Sequence, residues 1–222
     1  MKTVSSRVRI VEVYEEEGAH LTLCERDGEL ELVLGNVPLL TSRALETEHT
    51  FGALANEAAP GMPDVVVVGG LGFGSTLKGV LSATPATTRV VVAEKLRSVV
   101  RIAETHAARF FGDILQDARV SVELADVADV IATSRGLRAL LLDVDNGPGW
   151  GSFRTNAKLY GDHGVSLAFA SLAPGGIFAV WSGYEERAFT PKLRRGGFVP
   201  RVVPMHEKGT VSARAYVGTK PA

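Results

Sequence analysis

The spacing of apolar positions changes twice along the chain. From Arg7 to Tyr14 apolar and polar residues alternate, with Val8, Ile10, Val11 and Val13 apolar. His20 to Glu25 alternates again, and Glu29 to Leu34 follows the Asp27-Gly28 turn. Alternation gives a strand one apolar face, and Asp-Gly between two such runs is a hairpin signal. These runs predict a small antiparallel meander. From Leu45 to Ala59 the spacing becomes helical and stops at Pro60-Gly61. Beyond that point candidate strands at Val65–Val68, Arg89–Ala93, Arg119–Glu123, Leu137–Asp143 and Gly176–Trp181 alternate with helical stretches. The helices are predicted at Ser75–Leu81, Lys95–Phe110, Asp126–Thr133 and Asp162–Ala173, the last stopped by Pro174-Gly175-Gly176. Strand–helix alternation with continuous apolar strands predicts a parallel sheet covered on both faces. Gly197–Val203 and Val211–Val217, either side of Lys208-Gly209, predict a closing antiparallel hairpin. The expected organisation is a small β domain at residues 1–44, followed at 45–222 by a mostly parallel, Rossmann-like α/β domain.

Charge narrows the choice of partner. In 222 residues, 24 Lys and Arg offset 25 Asp and Glu, with no run of one sign longer than Glu15-Glu16-Glu17. Neither a nucleic-acid surface nor an anionic-membrane surface is expected. Cys24 stands alone, which excludes an intrachain disulfide and a thiolate metal cage. His20, His106, His163 and His206 lack ligand spacing, so no metal is expected. The N-terminus lacks the apolar core of a signal peptide, and no window is long enough to span a bilayer. A soluble cytoplasmic protein is the expectation. The absence of a Gly-x-Ser-x-Gly elbow disfavours a serine hydrolase.

The candidate chemistry begins at Asp64-Val-Val-Val-Val-Gly-Gly-Leu-Gly-Phe-Gly-Ser-Thr76. A β-branched run feeds closely spaced glycines, where backbone N–H groups can approach a ligand that a Cβ would block. The Gly-Lys-Ser/Thr ending of a phosphate loop is missing, and Ser75 stands where a dinucleotide fingerprint has its third glycine. What remains, Gly70-x-Gly72-x-Gly74, is the turn typical of S-adenosylmethionine-type enzymes. In open α/β sheets ligands lie at the carboxyl ends of the strands. There the second strand ends at Glu94, about 20 residues beyond the glycines, where an acid can accept ribose hydroxyls. The third is followed by Ala125-Asp126, able to accept from an adenine amine or to cap the next helix. The fourth leads into Asp143-Val-Asp145-Asn146-Gly147-Pro148-Gly149-Trp150.

With those elements in order, the chain from about Val8 to Val217 resembles the spermidine synthase (polyamine aminopropyltransferase) family, which has the class I methyltransferase fold. Leu32-Val-Leu-Gly-Asn-Val-Pro-Leu-Leu-Thr resembles the family's lead-in to its catalytic domain, and His49 falls on the His of its Tyr-His-Glu element. Val67-Val-Gly-Gly-Leu-Gly-Phe-Gly resembles its glycine turn, Val92-Ala-Glu94 its ribose-binding element and Ala125-Asp126 its adenine-binding element. Asp143 matches the first Asp of its catalytic loop, and Lys158-Leu-Tyr160 the section that follows. The chain departs from the pattern at four places: Gly72 replaces an Asp that holds the donor's amine, Leu39 a Gln, and Glu48 and Thr50 the Tyr and Glu beside His49. The second Asp of the catalytic loop falls on Asp145 or Asn146.

The resemblance implies a donor site of Gly70, Gly72, Gly74, Glu94, Asp126 and His49 for S-adenosylmethionine or its decarboxylated form. It implies Asp143 as the group that orients or deprotonates a small amine acceptor, with Tyr160 closing the pocket. Asp145, Asn146 and Trp150 would meet the acceptor, Trp150 by packing on it or on the sulfonium. Aminopropyl transfer by a homodimer is the activity implied. Two alternatives stay open. One is methyl transfer on the same scaffold, favoured by Gly72, which removes a carboxylate that would repel the donor's own. The other is a catalytically silent nucleoside-binding module.

Overall fold

Alternation in the first forty residues becomes four antiparallel strands in sequential order: β1 (Arg9–Glu16), β2 (Ala19–Arg26), β3 (Glu29–Leu34) and β4 (Val37–Thr41). The computed structural model describes residues 8–16, 18–43, 45–59, 64–144, 148 and 154–222. The β2–β3 turn holds Asp27 at φ 54° and Gly28 at φ 85°, the left-handed pair that suits a tight hairpin. β4 is an addition to the predicted strands. Pro38 argues against a strand interior, and it is accommodated because β4 lies at the sheet edge.

The second sheet contains β5 (Val65–Gly69), β6 (Arg89–Glu94), β7 (Val120–Leu124), β8 (Leu137–Leu142), β9 (Leu172–Ser182), β10 (Val199–Glu207) and β11 (Thr210–Thr219). Their order is β10-β11-β9-β8-β5-β6-β7. The run from β7 to β9 is parallel, while β11 lies antiparallel between β9 and β10. This is the mostly parallel, Rossmann-like sheet with a C-terminal antiparallel hairpin that the sequence predicts. β5 and β8 are neighbours although two strands separate them in sequence, so the winding reverses there. Ligands of open α/β sheets bind outside such a switch point.

The helices are α1 (Leu45–Ala53), α2 (Ser75–Ala83), α3 (Arg97–Thr105), α4 (Ala108–Phe111), α5 (Val127–Thr133), α6 (Asp162–Ser171) and α7 (Phe189–Arg195), with 3-10 turns at Leu54–Glu57, Ile114–Gln116 and Arg154–Tyr160. Alternate strand residues face opposite cores. Val66 and Val68 join Phe51, Leu77, Ile102 and the buried Leu23 and Leu32 of the first sheet, whereas Val67 joins Val130, Val165 and Leu193. The N-terminal sheet therefore shares a core with α1, α2 and α3. Charge fixes its seat: the Glu16 carboxylate accepts the Arg97 and Ser98 N–H groups at 2.5 and 2.9 Å, capping α3 where Leu96 supplies no capping side chain. Glu12 meets Arg101 and His106, and Glu25 meets Arg109.

Two predicted helices are shorter than their periodicity. The 95–110 stretch breaks after Thr105, where the Ala107 N–H reaches five residues back to the Ile102 carbonyl and His106 Nε2 contacts Glu12. The 45–59 stretch tightens into the 3-10 turn at Leu54–Glu57. α7 went unpredicted because Pro191 interrupts a short segment, yet a proline in the first turn costs no helical hydrogen bond.

Candidate active site at the β5–β8 switch point

All three glycines of the β5–α2 turn have positive φ, at 86° for Gly70, 52° for Gly72 and 101° for Gly74. Their surroundings separate their roles. A Cβ on Gly70 would lie 2.2 Å from the Asp143 carbonyl oxygen, and one on Gly74 would lie 2.6 Å from Ile114 Cδ1. Among the described residues, nothing lies nearer to a Cβ on Gly72 than Leu40 Cδ2, at 3.8 Å. Packing demands the outer two glycines. Gly72 leaves open space at the turn, a cradle that a side chain would fill.

Glu94 closes β6 with its carboxylate buried beside that turn, accepting the Leu71 N–H at 3.0 Å and the Leu96 N–H at 2.8 Å. Burial raises its pKa against the pull of these backbone donors. Each oxygen keeps acceptor capacity for a further donor. Asp126 takes up the capping role and keeps part of its acceptor capacity. Its Oδ1 accepts the Ala128 N–H at 2.9 Å as the cap of α5, and its Oδ2 meets Lys158 Nζ at 2.7 Å. Burial works against ionisation there, but the Lys158 ammonium and the Ala128 N–H hold the carboxyl below its usual range.

Asp143 follows β8 directly. Its N–H donates to the Gly69 carbonyl at 2.8 Å, and its Oδ2 accepts the Thr76 hydroxyl at 2.6 Å. Burial pushes its pKa up to about 6, against the Thr76 hydrogen bond. The second residue of α2 thus holds the carboxylate that ends β8.

α1 lies against α2 with backbone in contact. A Cβ on Gly79 would sit 2.0 Å from the His49 carbonyl oxygen, and one on Gly52 would sit 2.1 Å from that of Thr76. The Ser75 hydroxyl, at the position where a dinucleotide fingerprint has glycine, donates to the Leu45 carbonyl at 2.5 Å. Thr76 Oγ1 is also 3.3 Å from the Glu48 carbonyl. This crossing brings Glu48, one turn before Gly52, into the field of Asp143. Burial, then Asp143, then Glu207 of β10 raise the Glu48 carboxyl well above the usual range.

The structure therefore brings together Gly70, Gly72, Glu94 and Asp143 around the switch point, with Asp126 at the end of the next strand but one. His49 is half-buried on α1, and its backbone forms part of the helix crossing. Tyr160 lies in the opposite core, buried and edge-on to Phe189 at 6.2 Å, with its carbonyl accepting Lys192 Nζ at 2.6 Å. Asp145, Asn146 and Trp150 fall outside the described residues. Thr76, Glu48 and Lys158 were not among the predicted site residues. The one sequence signal for Thr76 was its place just after the glycine turn, and for Glu48 its departure from the resembled pattern. Among the described residues no group of His, Cys, Asp and Glu is placed to hold a metal ion. No helix among them is long and apolar enough to cross a membrane.

No protein-family model matches the chain, and no curated protein matches it. Solved structures do. A spermidine synthase in complex with the transition-state analogue AdoDATO superposes with a TM-score of 0.74 at 15% identity, over 96% of this chain and 72% of that one. Spermidine synthase from Thermotoga maritima gives 0.75 at 16% identity, over 96% and 73%. Human methyltransferase-like protein 13 in complex with SAH gives 0.58 at 20% identity, over 79% and 82%. The chain has a spermidine-synthase-like class I methyltransferase fold.

Proposed function

We propose that this chain is a transferase that uses a sulfonium nucleoside of the S-adenosylmethionine type, decarboxylated or intact, and alkylates a small amine. Aminopropyl transfer is the first reading. The observation that carries it is the junction of Gly70 and Asp143: the glycine turn and the Thr76-held carboxylate meet at the switch point. Open space at Gly72 and the spare acceptor capacity of Glu94 fit a nucleoside there.

A bound sulfonium supplies a carbon whose leaving group is a neutral thioether. The chain's residues then have to bind, align and deprotonate. Glu94 offers acceptors to ribose hydroxyls, and Asp126 offers its remaining lone pairs to an exocyclic amine. Asp143 orients the acceptor nitrogen and takes a proton from its ammonium form, freeing the electron pair for attack. Its elevated pKa suits that transfer near neutral pH. His49, Asp145, Asn146 and Trp150 complete the proposal as donor and acceptor contacts implied by the resemblance, whereas Tyr160, buried in the opposite core, supports the fold rather than a contact.

Methyl transfer is the second reading, and one observation favours it. Gly72 and the Leu40 beside it present no carboxylate to a donor that carries its own. Assembly as a homodimer belongs to the proposal too; Ile10 and Val13 stand exposed on the edge strand β1. The test of catalysis is Asp143→Asn. It is expected to bind donor as the wild type does and to lose at least about a hundredfold in turnover; unchanged turnover would remove Asp143 from the mechanism.

A further inference from the structure

The Glu94 carboxylate is held from two sides. Its Oε2 accepts the Leu71 N–H of the glycine turn at 3.0 Å, and its Oε1 accepts the Leu96 N–H at the start of α3 at 2.8 Å. The next two N–H groups along the chain, those of Arg97 and Ser98, go to Glu16 of β1 at 2.5 and 2.9 Å. Two carboxylates from different sheets thus divide three consecutive N–H groups between them. Burial raises the Glu94 carboxyl against its backbone donors, and the nearby Glu16 charge adds to that rise. The first turn of a helix has no partners of its own for its N–H groups, so whatever accepts them fixes where the helix begins. Leu96, the residue before that turn, has extended backbone at φ −93° and ψ 116° and no capping side chain. Glu16 supplies the cap from outside. Glu12, four residues earlier on the same strand, reaches Arg101 at 2.8 Å and His106 Nε2 at 2.9 Å, so β1 is tied to both ends of α3. With Leu71 set by the glycine turn, the place of Leu96 decides where Glu94 presents its remaining lone pairs.

We propose that Glu16 is a positioning residue of the nucleoside site: by pinning Arg97 and Ser98 it holds the Leu96 N–H in place, and so fixes the Glu94 carboxylate that receives the ribose hydroxyls. The proposal rests on the transferase reading for its ligand, and it makes the N-terminal sheet a working part of the donor site. Without Glu16 the start of α3 turns to water for its acceptors and Leu96 gains freedom. Glu94 then keeps its charge but loses its aim. The cost falls on recognition of the ribose and spares the rest of the nucleoside.

Two measurements on the full chain test it. The first is calorimetric binding of methylthioadenosine and of its dideoxy counterpart, which lacks both ribose hydroxyls. The wild type is expected to prefer the ribose form by at least about tenfold, the worth of one hydrogen bond to a charged group. Glu16→Ala should bind methylthioadenosine at least about tenfold more weakly and the dideoxy form as the wild type does, so the preference is lost. Glu16→Gln keeps an oxygen for one of the two N–H groups and should lie between the two; it carries the test if the alanine variant does not fold. Equal weakening of both ligands would make Glu16 a merely structural residue, and that result, or no weakening of either, overturns the proposal. The second measurement needs no ligand. Amide hydrogen exchange at Leu96 should quicken at least about tenfold in Glu16→Ala and keep the wild-type rate in Glu25→Gln, which loosens the same sheet at Arg109 instead. An unchanged Leu96 rate in Glu16→Ala also overturns the proposal. A quickened Leu96 in a protein that binds no nucleoside would uphold the link from Glu16 to Glu94 and defeat the transferase reading instead.

Discussion

The Thr76 hydroxyl donates to the Asp143 carboxylate at 2.6 Å across 67 residues of chain. A single hydrogen bond thus joins the start of α2 to the end of β8, beside the turn that follows β5. It also stabilises the ionised form of a carboxyl that burial would otherwise keep protonated. Thr76→Val is therefore expected to raise the Asp143 pKa above its value of about 6. Losing a hydrogen bond to a charged group should also lower stability by about 1.5–3 kcal/mol. A carboxyl 13C NMR titration checks the first, and denaturant unfolding at pH 8 the second.

Asp143 carries a stability cost whose sign is fixed by its shift. Its folded pKa lies above the ordinary aspartate value, so the folded state binds the proton more tightly than the unfolded state does. Stability on this account rises as pH falls from about 6 toward that ordinary value. Asp143→Asn should be more stable than the wild type at pH 8 by roughly 1–3 kcal/mol, with the gap closing below about pH 4. Thermal melts of both proteins across that range test it.

Asp117 runs the other way. The Arg119 guanidinium and the Arg119 N–H hold its carboxyl at about 2. The resulting stability is present above the ordinary aspartate pKa and is lost as pH falls toward about 2. Arg119→Met removes the guanidinium and keeps the backbone N–H, so it should reduce that contribution, read as a weaker acid dependence of unfolding between about pH 4 and 2.

Gly70→Ala and Gly72→Ala should separate packing from binding. The first places a Cβ against the Asp143 carbonyl and is expected to destabilise the fold by more than about 3 kcal/mol. Among the described residues the second meets only Leu40, at contact distance, so its cost is the left-handed backbone, about 1–2 kcal/mol. A folded Gly72→Ala protein should bind nucleoside at least about tenfold more weakly, because its methyl occupies the open side of the turn.

Lys158 and an adenine amine would compete for the same carboxylate oxygens of Asp126. Lys158→Met is expected to move the Asp126 carboxyl up toward its ordinary value and to cost less than about 1 kcal/mol, since the pair is partly exposed. Nucleoside affinity should rise a few-fold, measured by calorimetry.

The strands of the second sheet were legible because residues such as Val65–Val68 and Ala139–Leu142 are apolar on both faces, the pattern of a covered parallel sheet. Gly70, Glu94, Asp126 and Asp143 were legible because each stands at a strand's carboxyl end, a place that order alone identifies. What stayed hidden depends on long-range packing. The break at His106 follows from Glu12 on a distant strand, and the approach of Glu48 to Asp143 follows from a crossing set by Gly52 and Gly79. Lys158 read as part of a motif, with nothing in its neighbours to signal the bridge to Asp126.

The most direct measurement is calorimetric titration of the wild-type protein with S-adenosylmethionine, its decarboxylated form and methylthioadenosine, in parallel. At least one should bind at a single site and bind more weakly to Gly72→Ala, with preference for the decarboxylated donor supporting aminopropyl transfer and preference for the intact one methyl transfer. If none of the three binds, the switch point is not a sulfonium-nucleoside site and the proposed transferase is wrong.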